Sequence, residues 1–113
     1  MSVLLHNPRC RKSREALELL NEKGVMVEVV EYLKTPLAKD EIAELADKLG
    51  VEPEMMIRKG ESVFKEEYKG KELSSEDYIQ MMADHPILIE RPVFIKDNKA
   101  IIGRPPERVL ELL

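Results

Sequence analysis

A chain of 113 residues, 43% hydrophobic and 35% charged, is of ordinary size for one domain and can bury a modest core, so a single domain over 1–113 is expected. A net charge of −4 argues against general affinity for nucleic acid, which needs a net basic face. The single cysteine excludes an intrachain disulfide and a cysteine-rich zinc site and fits a reducing compartment. There is no basic-then-apolar leader and no apolar run near the ~20 residues of a bilayer span, so a cytoplasmic protein without membrane contact is expected.

In chain order, Val3-Leu4-Leu5 is a short apolar run closed by Asn7-Pro8 and reads as a buried strand ending in a turn. Ala16, Leu17, Leu19 and Leu20 fall on one helical stripe. Lys23 stands in its last turn, and Gly24 can turn left-handed to end it. Val25 to Val30 is β-branched and nearly all apolar, as a strand covered on both faces requires. The resulting strand, helix, strand unit makes its strands parallel through a right-handed crossover.

A helical middle follows. Ile42, Leu45, Ala46 and Leu49 repeat at helical spacing up to Gly50, Pro53 starts a short turn stopped by Gly60, and Ser74 or Ser75 caps a helix carrying Tyr78, Met81 and Met82 that Pro86 ends. Val93-Phe94-Ile95 and Ala100-Ile101-Ile102 flank a turn at Asp97-Asn98, and Pro105-Pro106 opens a last helix with Val109, Leu110 and Leu113 facing inward. This order predicts an α/β protein of thioredoxin-like fold: a mixed four-stranded sheet with an inserted helical region.

Cys10 then lies where the first strand meets the first helix, with Arg9, Arg11, Lys12 and Arg14 around it. A helix N-terminus and nearby cations both favour the thiolate, the nucleophilic form of a group whose ordinary pKa is about 8.5. A buried apolar cysteine would not stand between arginines. Ser13 can hydrogen-bond back toward the sulfur. His6 either packs the strand end or helps to keep Cys10 ionised. Arginine donates two parallel hydrogen bonds to an oxyanion, which draws attention to Arg58, Arg91 and Arg104, each beside a turn or strand end. His85 reads as a helix-end residue. No histidines and carboxylates have metal-ligand spacing, and the Met55-Met56 and Met81-Met82 pairs read as core or interface fillers.

The whole chain resembles the glutaredoxin-linked arsenate reductase (ArsC) family. His6-Asn7-Pro8-Arg9-Cys10-Arg11-Lys12-Ser13-Arg14 is similar to its nucleophile loop. Ile57-Arg58-Lys59, His85-Pro86-Ile87-Leu88-Ile89-Glu90-Arg91-Pro92 and Gly103-Arg104-Pro105 resemble its later signatures, in the same order. The resemblance implies a catalytic Cys10, an oxyanion clamp of Arg58, Arg91 and Arg104, and a cis-proline at Pro92; beside these, His6 and Ser13 are expected in the catalytic group and Arg14 among the oxyanion-binding residues. It also implies arsenate as substrate, glutathione as co-substrate, glutaredoxin as partner and no metal. Arg11-Lys12 departs from the small Gly-Thr pair that better-known members carry after the cysteine. Two alternatives stay open: a glutathione-dependent thiol-disulfide reductase of the same fold, and, ranked lower, a regulator like the Spx-type proteins that bind RNA polymerase. Those typically switch through a Cys-x-x-Cys pair, where this chain has Ser13.

Overall fold

Strands and helices alternate at the start of the chain: β1 (Ser2–Leu5), α1 (Arg11–Glu22) and β2 (Glu28–Val30). A helical stretch follows with α2 (Lys39–Leu49), α3 (Ser62–Glu67) and α4 (Ser75–Asp84), plus short 3-10 helices at Pro53–Met56 and Pro86–Leu88. The chain returns through β3 (Val93–Lys96), β4 (Lys99–Ile102) and a 3-10 helix, Pro106–Leu112. The computed structural model describes residues 2–113. Contacts divide it into two units, one formed by the chain up to Thr35 and from Arg91 to Leu113, the other by Pro36–Glu90.

The first unit holds one sheet of order β2-β1-β3-β4, with β2 parallel to β1, and β1–β3 and β3–β4 antiparallel. This is the expected thioredoxin-like arrangement, and Pro36–Glu90 is the expected helical insertion in the sequence. Registry sets Leu4 beside Phe94 and Phe94 beside Ile101, which aligns one apolar row across three strands. Ala16 and Leu20 of α1 and Val109 of the last helix close the core over that row. Asp97, at φ 55, makes the left-handed turn between β3 and β4.

Two expectations are corrected in this unit. Val25 to Val30 is not a strand covered on both faces. Only Glu28–Val30 is a strand, Met26 is 94% exposed and Val29 41%, because β2 lies at the sheet edge. The final helix is 3-10, so the residues stacking on one face are three apart: Pro106 and Val109 are buried and Leu112 packs on the core. Leu113, expected to face inward, is 49% exposed. A second cis bond, Arg104–Pro105, stands beside the expected cis bond at Arg91–Pro92.

In the second unit, α2 begins with Glu41 accepting the Ala38 N–H (2.8 Å) and ends at Gly50, left-handed at φ 70. Ser74 caps α4 reciprocally with Asp77: Ser74 Oγ accepts the Asp77 N–H at 3.1 Å, and Asp77 Oδ2 accepts the Ser74 N–H at 2.9 Å. Ile42, Leu45, Met56, Phe64, Met81 and Met82 are among its buried side chains, whereas Met55 is exposed. His85 closes α4, the helix-end position expected for it. Helix α3 was not anticipated. Among the described residues no helix is long and apolar enough to cross a membrane.

Candidate active site

The loop leaving β1 is organised by Asn7, a buried polar residue. Its Oδ1 accepts the Arg9 N–H at 3.0 Å, its carbonyl accepts the Cys10 N–H at 3.0 Å, and its own N–H donates to Ser13 Oγ at 3.1 Å. These bonds fold Pro8 and Arg9 into a turn and deliver Cys10, in extended backbone geometry, as the N-cap of α1. Asn7 was absent from the sequence-derived site. The Asn-Pro dipeptide marks a turn, but three hydrogen bonds to one residue are a tertiary fact.

Ser13, fully buried, meets His6 Nδ1 through Oγ at 2.6 Å. Burial is the largest influence on His6 and lowers its pKa. Glu31 acts in the opposite direction and Arg14 adds to the lowering, so the ring is held below the ordinary histidine value and neutral at pH 7. Ser13 Oγ already accepts the Asn7 N–H. The arrangement that satisfies every group has the hydroxyl donating to Nδ1 and the ring proton on Nε2. The Ser13 hydroxyl is thus engaged by His6 and Asn7, and what Ser13 offers the sulfur is its backbone N–H.

Burial alone would push the Cys10 thiol up. The N–H of Ser13, a hydrogen bond and charge from Arg91, and the N–H of Lys12 outweigh it, and the thiol ends below its ordinary value. Sulfur takes the place that a serine or aspartate oxygen occupies in an ordinary N-cap, and the first-turn N–H groups favour its anion.

Arg104 donates Nη2 to Cys10 Sγ at 3.9 Å and Nε to the Arg91 carbonyl at 2.8 Å. Arg91 Nε and Nη1 are buried with no hydrogen-bond partner. Gly103, one residue before Arg104, lets these segments come together: a Cβ there would sit 2.9 Å from Pro92 Cγ and 2.9 Å from Val109 Cγ1. Two guanidinium groups and a helix N-terminus therefore converge on one partly exposed sulfur. That combination favours a thiolate and leaves donors for a tetrahedral anion.

Two further expected site residues, Arg14 and Arg58, have partners of their own. Arg14 is exposed and donates Nη1 to the Pro8 carbonyl at 2.9 Å, so it braces the nucleophile loop. Arg58 belongs to the Pro36–Glu90 unit, where Nε lies 3.3 Å from Glu61 Oε2 and Nη1 3.9 Å from Glu90 Oε1. Arg11 is exposed and paired with Glu15 at 2.9 Å. Among the described residues no group of three His, Cys, Asp or Glu side chains could hold a metal ion.

The model of the ArsC family matches residues 5–112. The chain is similar to the Escherichia coli K12 protein YfgD, 46% identical over 112 residues that cover 97% of this chain and 94% of that one. It is similar to an arsenate reductase of Neisseria meningitidis serogroup A, 40% identical over 97% of this chain and 96% of that protein. Among solved structures it is similar to an arsenate reductase from Vibrio cholerae, with a TM-score of 0.96 and 43% identity over 99% of this chain and 97% of the other.

Proposed function

Because the chain belongs to the ArsC family, we propose that it is an oxidoreductase that reduces arsenate to arsenite, with Cys10 as nucleophile and glutathione and glutaredoxin as external thiols. The observation that carries this reading is the Arg91 guanidinium, whose Nε and Nη1 are buried without partners while the same group stabilises the Cys10 thiolate. Buried donors normally find acceptors, and an oxyanion beside the sulfur supplies two.

The Cys10 thiolate attacks arsenic(V); an S–As bond forms and one arsenate oxygen leaves as water. A glutathione thiol forms a second S–As bond and displaces a second water. The chain has one cysteine, so both electrons come from external thiols. A glutaredoxin thiol attacks the glutathione sulfur, forming an S–S bond. The S–As bond to glutathione breaks with its electron pair left on arsenic, which becomes arsenic(III). Water then releases arsenite and the Cys10 thiol. Arg91 and Arg104 offset the oxyanion's charge, and the resemblance adds Arg58 to them. His6, Ser13 and Asn7 act through the loop that holds Cys10, and the cytoplasm is the compartment that keeps such a thiol reduced.

Exposed Arg11 and Lys12, beside the thiol, favour a second reading: a thiol-disulfide reductase whose cations hold glutathione carboxylates. Turnover of arsenate by the purified protein with glutathione and glutaredoxin separates the two. Arsenate-dependent activity that is lost in Cys10→Ser and reduced in Arg58→Ala and Arg104→Ala supports arsenate reduction. Turnover of a glutathionylated substrate with none of arsenate overturns it in favour of the second reading.

A further inference from the structure

In this acidic chain Lys34, Lys39, Lys48 and Lys59 are each paired with a carboxylate, at 2.6 to 3.3 Å. Lys65, Lys69 and Lys71 have no ion pair among the described residues, yet all three line one cavity of about 380 Å³ in the Pro36–Glu90 unit. Among the described residues Glu54 is the one acidic residue lining it, and its carboxylate is committed to Lys59 at 2.6 Å. The cavity's net charge is therefore positive, although the chain's is −4.

Its walls are aromatic. Phe64 and Tyr78 are each 8% exposed, and Tyr68 is half-buried. The Tyr68 ring lies 6.3 Å from Phe64, tilted by 31°, and meets His85 edge-on at 6.1 Å, so it is held between two rings. Lys69 and Lys71 flank the turn at Gly70, where nothing lies within 4 Å of a would-be Cβ, and the rim is open.

We propose that this cavity is a second binding site, for a small anion carrying a flat aromatic body, of the nucleoside monophosphate class. Lysine ammoniums bind phosphate as compact point charges, aromatic faces stack on any base, and the volume lies in the range of small-molecule sites. No asparagine, glutamine or arginine lines it among the described residues, and its carboxylate Glu54 is committed to Lys59, so purine monophosphates bind alike and the phosphate is required. AMP binding here is independent of the reaction assigned to Cys10.

The test is titration of the full chain with AMP, adenosine and inorganic phosphate, followed by amide chemical shifts and calorimetry. AMP shifts the amides of residues 64–73 and Tyr78 and binds at least about tenfold more tightly than either fragment. The triple variant Lys65→Gln, Lys69→Gln, Lys71→Gln and the single variant Tyr68→Leu each weaken it by about tenfold, with folds verified by their spectra. Absence of AMP-dependent shifts at these amides at millimolar concentration overturns the site. Equal binding of phosphate and AMP, or undiminished binding by the triple variant, overturns it as well.

Discussion

Arg91→Ala removes two buried N–H groups, Nε and Nη1, that have no hydrogen-bond partner among the described residues. A hydrogen bond from a charged donor is worth about 1.5–3 kcal/mol. Taking the lower figure for both, loss of the pair weakens oxyanion binding in the transition state by about 3 kcal/mol, or roughly a hundredfold in kcat/KM for arsenate. The Cys10 pKa rises at the same time, since Arg91 is the side chain that lowers it. Folding stability should not fall in proportion, because Nε and Nη1 satisfy no acceptor among the described residues, the bond lost is the one to the partly exposed Cys10 sulfur, and the Arg91 carbonyl still receives Arg104 Nε. Steady-state arsenate kinetics and urea unfolding of the ligand-free protein measure the two effects separately. Arg91→Lys keeps the charge but not the paired donors, so it restores the thiol pKa more fully than the turnover. Turnover within about threefold of wild type in Arg91→Ala, or a stability loss above about 2 kcal/mol, would refute the assignment of Arg91 as an anion ligand.

Gly103→Ala places a methyl group 2.9 Å from both Pro92 Cγ and Val109 Cγ1, a ring carbon and a fully buried side chain. Overpacking of this kind costs about 1–3 kcal/mol, read as a lower urea midpoint at unchanged m-value; a midpoint equal to wild type contradicts the close approach. His6 has a folded pKa below its ordinary 6.5, so the unfolded chain takes up that proton first as pH falls. The associated stability is present above pH 6.5 and lost as pH drops toward the folded value. His6→Asn should flatten the fall in unfolding free energy as pH drops below about 6.5, and an unaltered slope counts against a buried neutral His6.

Cys10 at the strand-helix junction was legible because Leu4 and Leu5 end a strand and Ala16 and Leu20 define a helical stripe, both local patterns. The four strands and the insertion followed from the same periodicities. What misled was context that periodicity does not carry. Val25 to Val30 looks like a buried strand, yet it lies at the sheet edge, and edge position depends on the later strands β3 and β4 taking the other side of β1. Helix α3 offers only Val63 and Phe64 among charged and polar neighbours, too few apolar positions to define a period. Of the arginines, sequence placed Arg91 and Arg104 near Cys10 through their motifs, and what it did not show is the bond that Arg14 makes. Its reach to the Pro8 carbonyl depends on how Asn7 turns the loop. Ser13 was expected to hydrogen-bond back toward the sulfur, and it does so through its backbone N–H; that the hydroxyl is taken up by His6 and Asn7 is a tertiary fact.

The rate of Cys10 alkylation against pH, measured with and without arsenate, tests the central claim most directly. A titration midpoint below the ordinary cysteine value of about 8.5, with alkylation slowed by arsenate, is the predicted result. A midpoint at or above that value, with no protection by arsenate, would contradict a thiolate held among cations that also bind the substrate.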